Sequence, residues 1–341
     1  MYRSLGEAIS AGRLTPASLA EGGGPALIVE ETLPDDAAAI VARTAAGDCV
    51  FYHRRSGLCV VHRDVGEPML PATCRHFPRL AVRDPRGTFV SLSHFCPTAA
   101  ATLFREDVVL KVVEHPQAFP ERDYDGLTVN EDDWPPLLRP ATLADLAGYD
   151  AWERHMVSRC AEAARGAEDV IATLYRDARL VRSVRPGEGD SIAGAIAALP
   201  VSGVPAPAPD SLDESLVRYA EVMTAVPDDM RPAPDEAGLD TAYADAVRGE
   251  WPQWRAPLTR YVAAKAFASW TAYQGRGFLT IVRGLDAALA LVRVEAARQC
   301  RDRRRPLDAA LLREAFRQAD FSLNHLAGGD ELAAAWSRAE T

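Results

Sequence analysis

The 341-residue sequence is short of several things, and each shortage narrows what it can be. It has six cysteines and no CxxC pair, so it carries neither a zinc ribbon nor the usual ferredoxin run. No G-x-G-x-x-G follows a strand-like run: GRG at 275–277 sits among helices, and GGG at 22–24 precedes a strand. P-loop, HExxH and GxSxG patterns are also missing, which removes the commonest nucleotide, zinc-protease and serine-hydrolase readings. Basic charge is in deficit, with 38 Lys and Arg against 48 Asp and Glu, whereas general nucleic-acid binding needs the opposite balance. The most apolar long run, FLTIVRGLDAALALVRV from Phe278, carries Arg283, Asp286 and Arg293, so no membrane span is expected. MYRSLGEAIS at the start lacks the apolar core of a signal peptide. The expectation is a cytoplasmic protein.

What is present is an ordinary globular composition, 48% hydrophobic and 25% charged, at a length that suits two or three units. After the flexible EGGGP, ALIVE (26–30) reads as a strand, and PDDAAAIVARTAAG as a helix with acids in its first turn. CVFYH and LCVVH then read as two short strands around a tight loop, and TFVSLSHF (88–95) as a third. Prolines at 68, 71, 78, 85 and 97 make this stretch loop-rich. From about residue 140 the texture is helical. Thr142 and Asp145 resemble a capping box, and Tyr149, Trp152, Met156, Cys160 and Ala163 recur at spacings of three and four. Ser211 with Glu214 opens a second amphipathic helix, and three or four more fill 256–339. The fold class expected is α+β. A small, loop-rich cysteine module with short strands, within 1–140 and with its core at 49–97, precedes a mainly α-helical domain at 141–341. Proline-rich linkers fall near 183–211 and 226–240.

Four of the six cysteines, Cys49, Cys59, Cys74 and Cys96, lie in one 48-residue window, where an even spread would place about one. His53, His62, His76 and His94 share it. In a reducing compartment such clustered thiols are metal ligands more readily than disulfides. Cys160 and Cys300 stand alone on apolar helical stripes and read as small core residues. The window holds seven arginines and three acids, a local excess of +4 in an acidic chain. Cations beside a thiol lower its pKa and favour the metal-binding thiolate. Arg75 and Arg79, flanking Cys74, are therefore candidate cofactor-binding residues, or else they solvate the surface. His62 is a candidate on the same footing, or simply a strand residue. Pairing across a four-residue loop sets His53 opposite Leu58 and leaves Cys49 and Cys59 on opposite faces. A shared site then needs an odd loop, a bulge near Ser56–Gly57, or Cys49 lying just before the strand.

The run CVFYHRRSGLCVVHRDVGEPMLPATCRHFPR, followed by SLSHFCPTAA, resembles the cysteine-cluster core of flagellin lysine-N-methylases. It is more distantly similar to small zinc- or iron-chelating cysteine-cluster proteins. The likeness rests on Cys49, Leu58-Cys59, Val61-His62, Gly66, Leu70, Thr73-Cys74, Pro78-Arg79, Leu92 and Cys96-Pro97. A late DFSLNHL segment (320–326) adds a weaker echo. The family's upstream cysteine-rich stretch, ending in adjacent cysteines, has no counterpart in residues 1–48. The resemblance implies a metal held by Cys49, Cys59, Cys74 and Cys96, either a 4Fe-4S iron-sulfur cluster or zinc. It also implies S-adenosylmethionine as methyl donor and a protein partner with an accessible lysine as acceptor. The other reading is a non-catalytic zinc or iron-sulfur protein whose closed site pins a loop-rich module for partner docking.

Overall fold

The computed structural model describes residues 2–15, 27–28, 39–44, 48–53, 55–56, 58–107, 109–114, 126–129, 134–162, 165–186, 190–233 and 235–338. The chain divides into two compact units, Met1–Phe77 and Pro78–Thr341. Short two- and three-stranded sheets accompany a mainly helical second unit, the α+β mixture read from the sequence. The division falls inside the 49–97 window rather than near residue 140. Its physical cause is the hairpin at 79–92, whose strands are bonded into the helical unit, as set out below.

In the first unit, strands β1 (Leu27–Ile28) and β2 (Ile40–Val41) pair antiparallel. The start of the expected helix over PDDAAAIVARTAAG lies outside the described residues. Its described part is instead extended, because β-branched Ile40 and Val41 join β1 and Arg43 forms a bridge with Cys49. β3 (Tyr52–His53) and β4 (Leu58–Cys59) make the expected hairpin, with His53 opposite Leu58 and Tyr52 opposite Cys59. LCVVH does not continue as a strand. The Val60 N–H closes onto the Phe51 carbonyl, and the helix Val60–Val65 begins there, turning Val60 and Val61 into the core. Gly66, at φ +88°, ends that helix in a conformation that suits glycine. A short helix, Ala72–His76, follows. Leu5 and Ala8 of the helix Tyr2–Ser10 join Phe51, Val60, Val61 and Leu70 in one small apolar cluster.

The second unit opens with β5 (Arg79–Asp84) and β6 (Gly87–Leu92), an antiparallel pair with β7 (Gly126–Thr128) parallel along the other edge of β5. The third strand read from TFVSLSHF is β6. Its partner RLAVRD, lying between Pro78 and Pro85, did not read as a strand. Four contacts tie this hairpin to the helices: Trp270 Nε1 donates to the Ala81 carbonyl, the Tyr273 hydroxyl donates to Asp84, and Arg86, itself paired with Asp84 inside the hairpin, binds Asp150 and Glu153. The short pair β8 (Leu137–Arg139) and β9 (Thr142–Leu143) precedes the helix Leu146–Ala161. Asp145 caps that helix by accepting from Gly148 N–H, whereas Thr142 lies in a strand and takes no part in the cap. Tyr149, Trp152, Met156 and Cys160 are all buried on one stripe, as expected, and Ala163 lies outside the described residues. The 26-residue helix Phe278–Arg303 is buried along most of its length and packs against the helices Ala167–Val181, Asp213–Met223, Arg255–Ala266 and Ala309–Phe321.

Candidate functional site

The candidate ligands divide between the units. Cys49, Cys59, Cys74, His62 and Arg75 belong to the first, and Cys96 and Arg79 to the second. Cys49 does lie just before the strand, in a turn that the Tyr52 N–H closes on its carbonyl, and the Phe51 N–H points at its Sγ from 3.4 Å. That arrangement removes the opposite-face problem without a bulge: pairing on both sides of the loop stays in register, and Gly57 lies outside the described residues. Cys59 ends β4 and stands at the N-cap position of the following helix without a side-chain capping bond, while Cys74 lies mid-turn in Ala72–His76.

Two of these thiols are acted on by their neighbours. Burial pushes the Cys74 thiol up, and both Cys49 and Cys59 push it further. Burial likewise raises Cys49, with Cys59 adding and the Phe51 N–H and Arg43 opposing. The cation that acts on Cys49 is therefore Arg43, which lies outside the window that drew attention to arginine. Within that window Arg63 pairs with Asp64, and Arg86 is committed to carboxylates of the second unit. His62 is exposed on its helix, His53 Nδ1 lies 2.7 Å from Ser56 Oγ, and buried His76 Nε2 has no hydrogen-bond partner. Among the described residues no group of three His, Cys, Asp or Glu side chains is gathered closely enough to hold a metal ion.

Cys96 caps the helix Pro97–Thr102 with Pro97 at its first position, where a missing N–H costs nothing. It closes the SLSHFC segment, and that segment meets DFSLNHL from 226 residues away. The His94 N–H donates to Asp320 Oδ2 at 2.5 Å, Ser93 Oγ lies 2.9 Å from His325 Nε2, and Phe95 packs on Phe321. Two further groups complete this centre. The Tyr261 hydroxyl donates to Asp320 Oδ1 at 3.0 Å, and Lys265 Nζ lies 2.6 Å from the same oxygen. Asp320 and Tyr261 are fully buried. Burial alone would raise the Asp320 carboxyl, but Lys265 and His94 outweigh it and hold the group below its ordinary value. Burial, with Lys265 beside it, lowers the His94 imidazole to about 4, so the ring is neutral near pH 7. Tyr261 and Lys265 escaped the sequence reading. The one available signal was rarity: the chain has only two lysines, and Lys265 sits inside the apolar run YVAAKAFA.

Two cavities adjoin this centre in the second unit. One, of about 130 Å³, is walled by Lys265, Trp270, Ile281, Leu285, Leu332 and Trp336. The other, of about 450 Å³, borders His94, Leu92, Leu110, Lys111, Arg260 and Phe267. Among the described residues no helix is long and apolar enough to cross a membrane. No family model, curated protein or solved structure matches the chain.

Proposed function

We propose that the chain is a cytoplasmic cysteine-cluster metal protein, similar to flagellin lysine-N-methylases, that methylates a lysine of a protein partner with S-adenosylmethionine. The observation that supports this most is that Cys49, Cys59 and Cys74 share one compact unit, where burial first, and then Cys49 and Cys59, raise the Cys74 thiol. A thiol whose ionisation is opposed by burial and by neighbouring thiols is one whose charge a metal cation would offset. All six cysteines are free, which suits a reducing cytoplasm.

The three thiolates would hold zinc or an iron-sulfur cluster, and a cluster with one iron free of protein ligands would supply the site at which a cofactor is bound and activated. Metal analysis and an absorption spectrum on protein purified without air, followed by calorimetry with S-adenosylmethionine, test the reading. Iron and sulfide, a band near 400 nm and a measurable heat are expected. Cys96→Ser separates the two versions. Retained metal fits a three-thiolate, open site, whereas lost metal fits a closed four-thiolate site and the non-catalytic docking role. Absence of both metal and S-adenosylmethionine binding overturns both.

A further inference from the structure

We propose that the 130 Å³ cavity in the second unit is a binding site for a small organic carboxylate with an apolar body about the size of one aromatic ring. Lys265 is the only charged residue among the described lining residues, and its counter-charge, Asp320, lies behind it, fully buried. That carboxylate accepts from three groups: Lys265 Nζ, the Tyr261 hydroxyl and the His94 N–H. An ammonium has three N–H bonds, and Asp320 is the sole ion-pair partner found for Lys265 among the described residues, which leaves donors for a ligand. The ammonium is the one charged group that the described lining offers, and a cationic donor selects an acceptor, an anionic one above a neutral one.

The remaining wall sets the ligand's body. Ile281, Leu285, Leu332 and the Trp336 ring give it an apolar side, Ser91, Ser269, Thr271, Gln274 and Asn324 line the rest, and its volume of about 130 Å³ is of the size that takes one aromatic ring. The sequence makes room for this wall at Gly284, where an added Cβ would meet the Trp336 ring at 2.9 Å, and at Gly329, where one would meet the Gln274 amide at 2.9 Å. Both glycines let a cavity-lining side chain press against backbone. The site depends on neither the cysteines nor a metal.

Isothermal titration of the full chain with sodium benzoate, benzyl alcohol and benzylammonium tests the proposal. Benzoate is expected to bind about tenfold or more tightly than benzyl alcohol, with benzylammonium weakest. Lys265→Met together with Asp320→Asn removes the cation and the carboxylate it neutralises, and should bring benzoate down to the level of benzyl alcohol. Ala288→Leu fills the cavity from the long helix and should weaken both ligands. On the unaltered chain, nuclear Overhauser contacts from the benzoate ring to the Trp336 indole are expected, a readout that needs no variant to fold. Equal affinity for benzoate and benzyl alcohol overturns the proposal, as does benzoate contact confined to other residues.

Discussion

The two units reach stability by different means. In the second, fifty-three described buried apolar residues form one continuous cluster around the helix Phe278–Arg303, and Trp152 stacks on Phe278 with rings 5.1 Å apart. In the first, the described cluster draws Leu5 and Ala8 from the helix Tyr2–Ser10, Val60 and Val61 from the helix Val60–Val65, and Val50 and Phe51 from the turn between them. The contrast teaches that the helical unit can fold on buried area alone, whereas the cysteine unit, on the proposed reading, also draws folding energy from a bound metal. It also explains where charge is placed. The second unit buries whole ion pairs such as Lys265–Asp320 and Arg86–Asp84, which a large core can hold in fixed geometry.

The sharpest way to break this comparison is to remove the metal that the proposed thiol site would hold. Chelator, or Cys74→Ser, is expected to abolish the cooperative melting of residues 1–77 while leaving the helical transition in place. Hydrogen exchange should show amides at 49–76 losing protection while those at 278–303 keep it. If both regions melt as before, the first unit stands on its own core and the contrast is wrong. Next in size are large-to-small changes in the second unit. Trp152→Ala should cost about 3–5 kcal/mol, read as a lower denaturation midpoint, because nothing can collapse onto Phe278 to refill the space.

Asp320→Asn tests the buried pairs and should cost a comparable amount, about 3–5 kcal/mol, because it leaves Lys265 charged and poorly paired. Its signature is pH dependence. The folded Asp320 carboxyl, which faces Lys265, Tyr261 and the His94 N–H, titrates below its ordinary value of 3.8. Its contribution is therefore complete above that value and fades as the pH falls through the folded pKa. The stability gap between the native chain and Asp320→Asn should narrow in acid, and a gap constant from pH 6 to pH 3 would remove the assignment.

Legibility in the sequence follows the same divide. The stripe Tyr149, Trp152, Met156 and Cys160 could be read because a long helix repeats its spacing often enough to be recognised. Short elements give no such repetition. AAAIVARTAA looks helical by propensity, yet Ile40 and Val41 pair with β1, and RLAVRD looks like a loop between prolines, yet becomes β5 with neighbours on both edges. That Cys49, Cys59 and Cys74 fall in one unit follows from their positions, but the placing of Cys49 ahead of its strand depends on a turn at Phe51 that no periodicity marks. The polar centre was least legible of all. Its members are separated by 59 and 226 residues, and each taken alone is an ordinary residue on an ordinary helix or loop.

The smallest expected effect sharpens the comparison from the local side. Asp145 accepts the Gly148 N–H at 2.6 Å and so satisfies one of the donors a helix start leaves open. Asp145→Ala should cost about 1 kcal/mol, measured as a small drop in the helical transition, and Asp145→Asn should restore most of it because the amide oxygen still accepts. Gly148 itself cannot take a side chain to compensate, since a Cβ there would meet Ile192 at 2.7 Å. The cap is thus fixed by packing beneath it, and Gly148→Ala should be the more damaging of the two changes despite alanine's better helix propensity. Were Gly148→Ala neutral or stabilising, the packing between the helices Leu146–Ala161 and Ile192–Ala197 would be looser than a single continuous core implies.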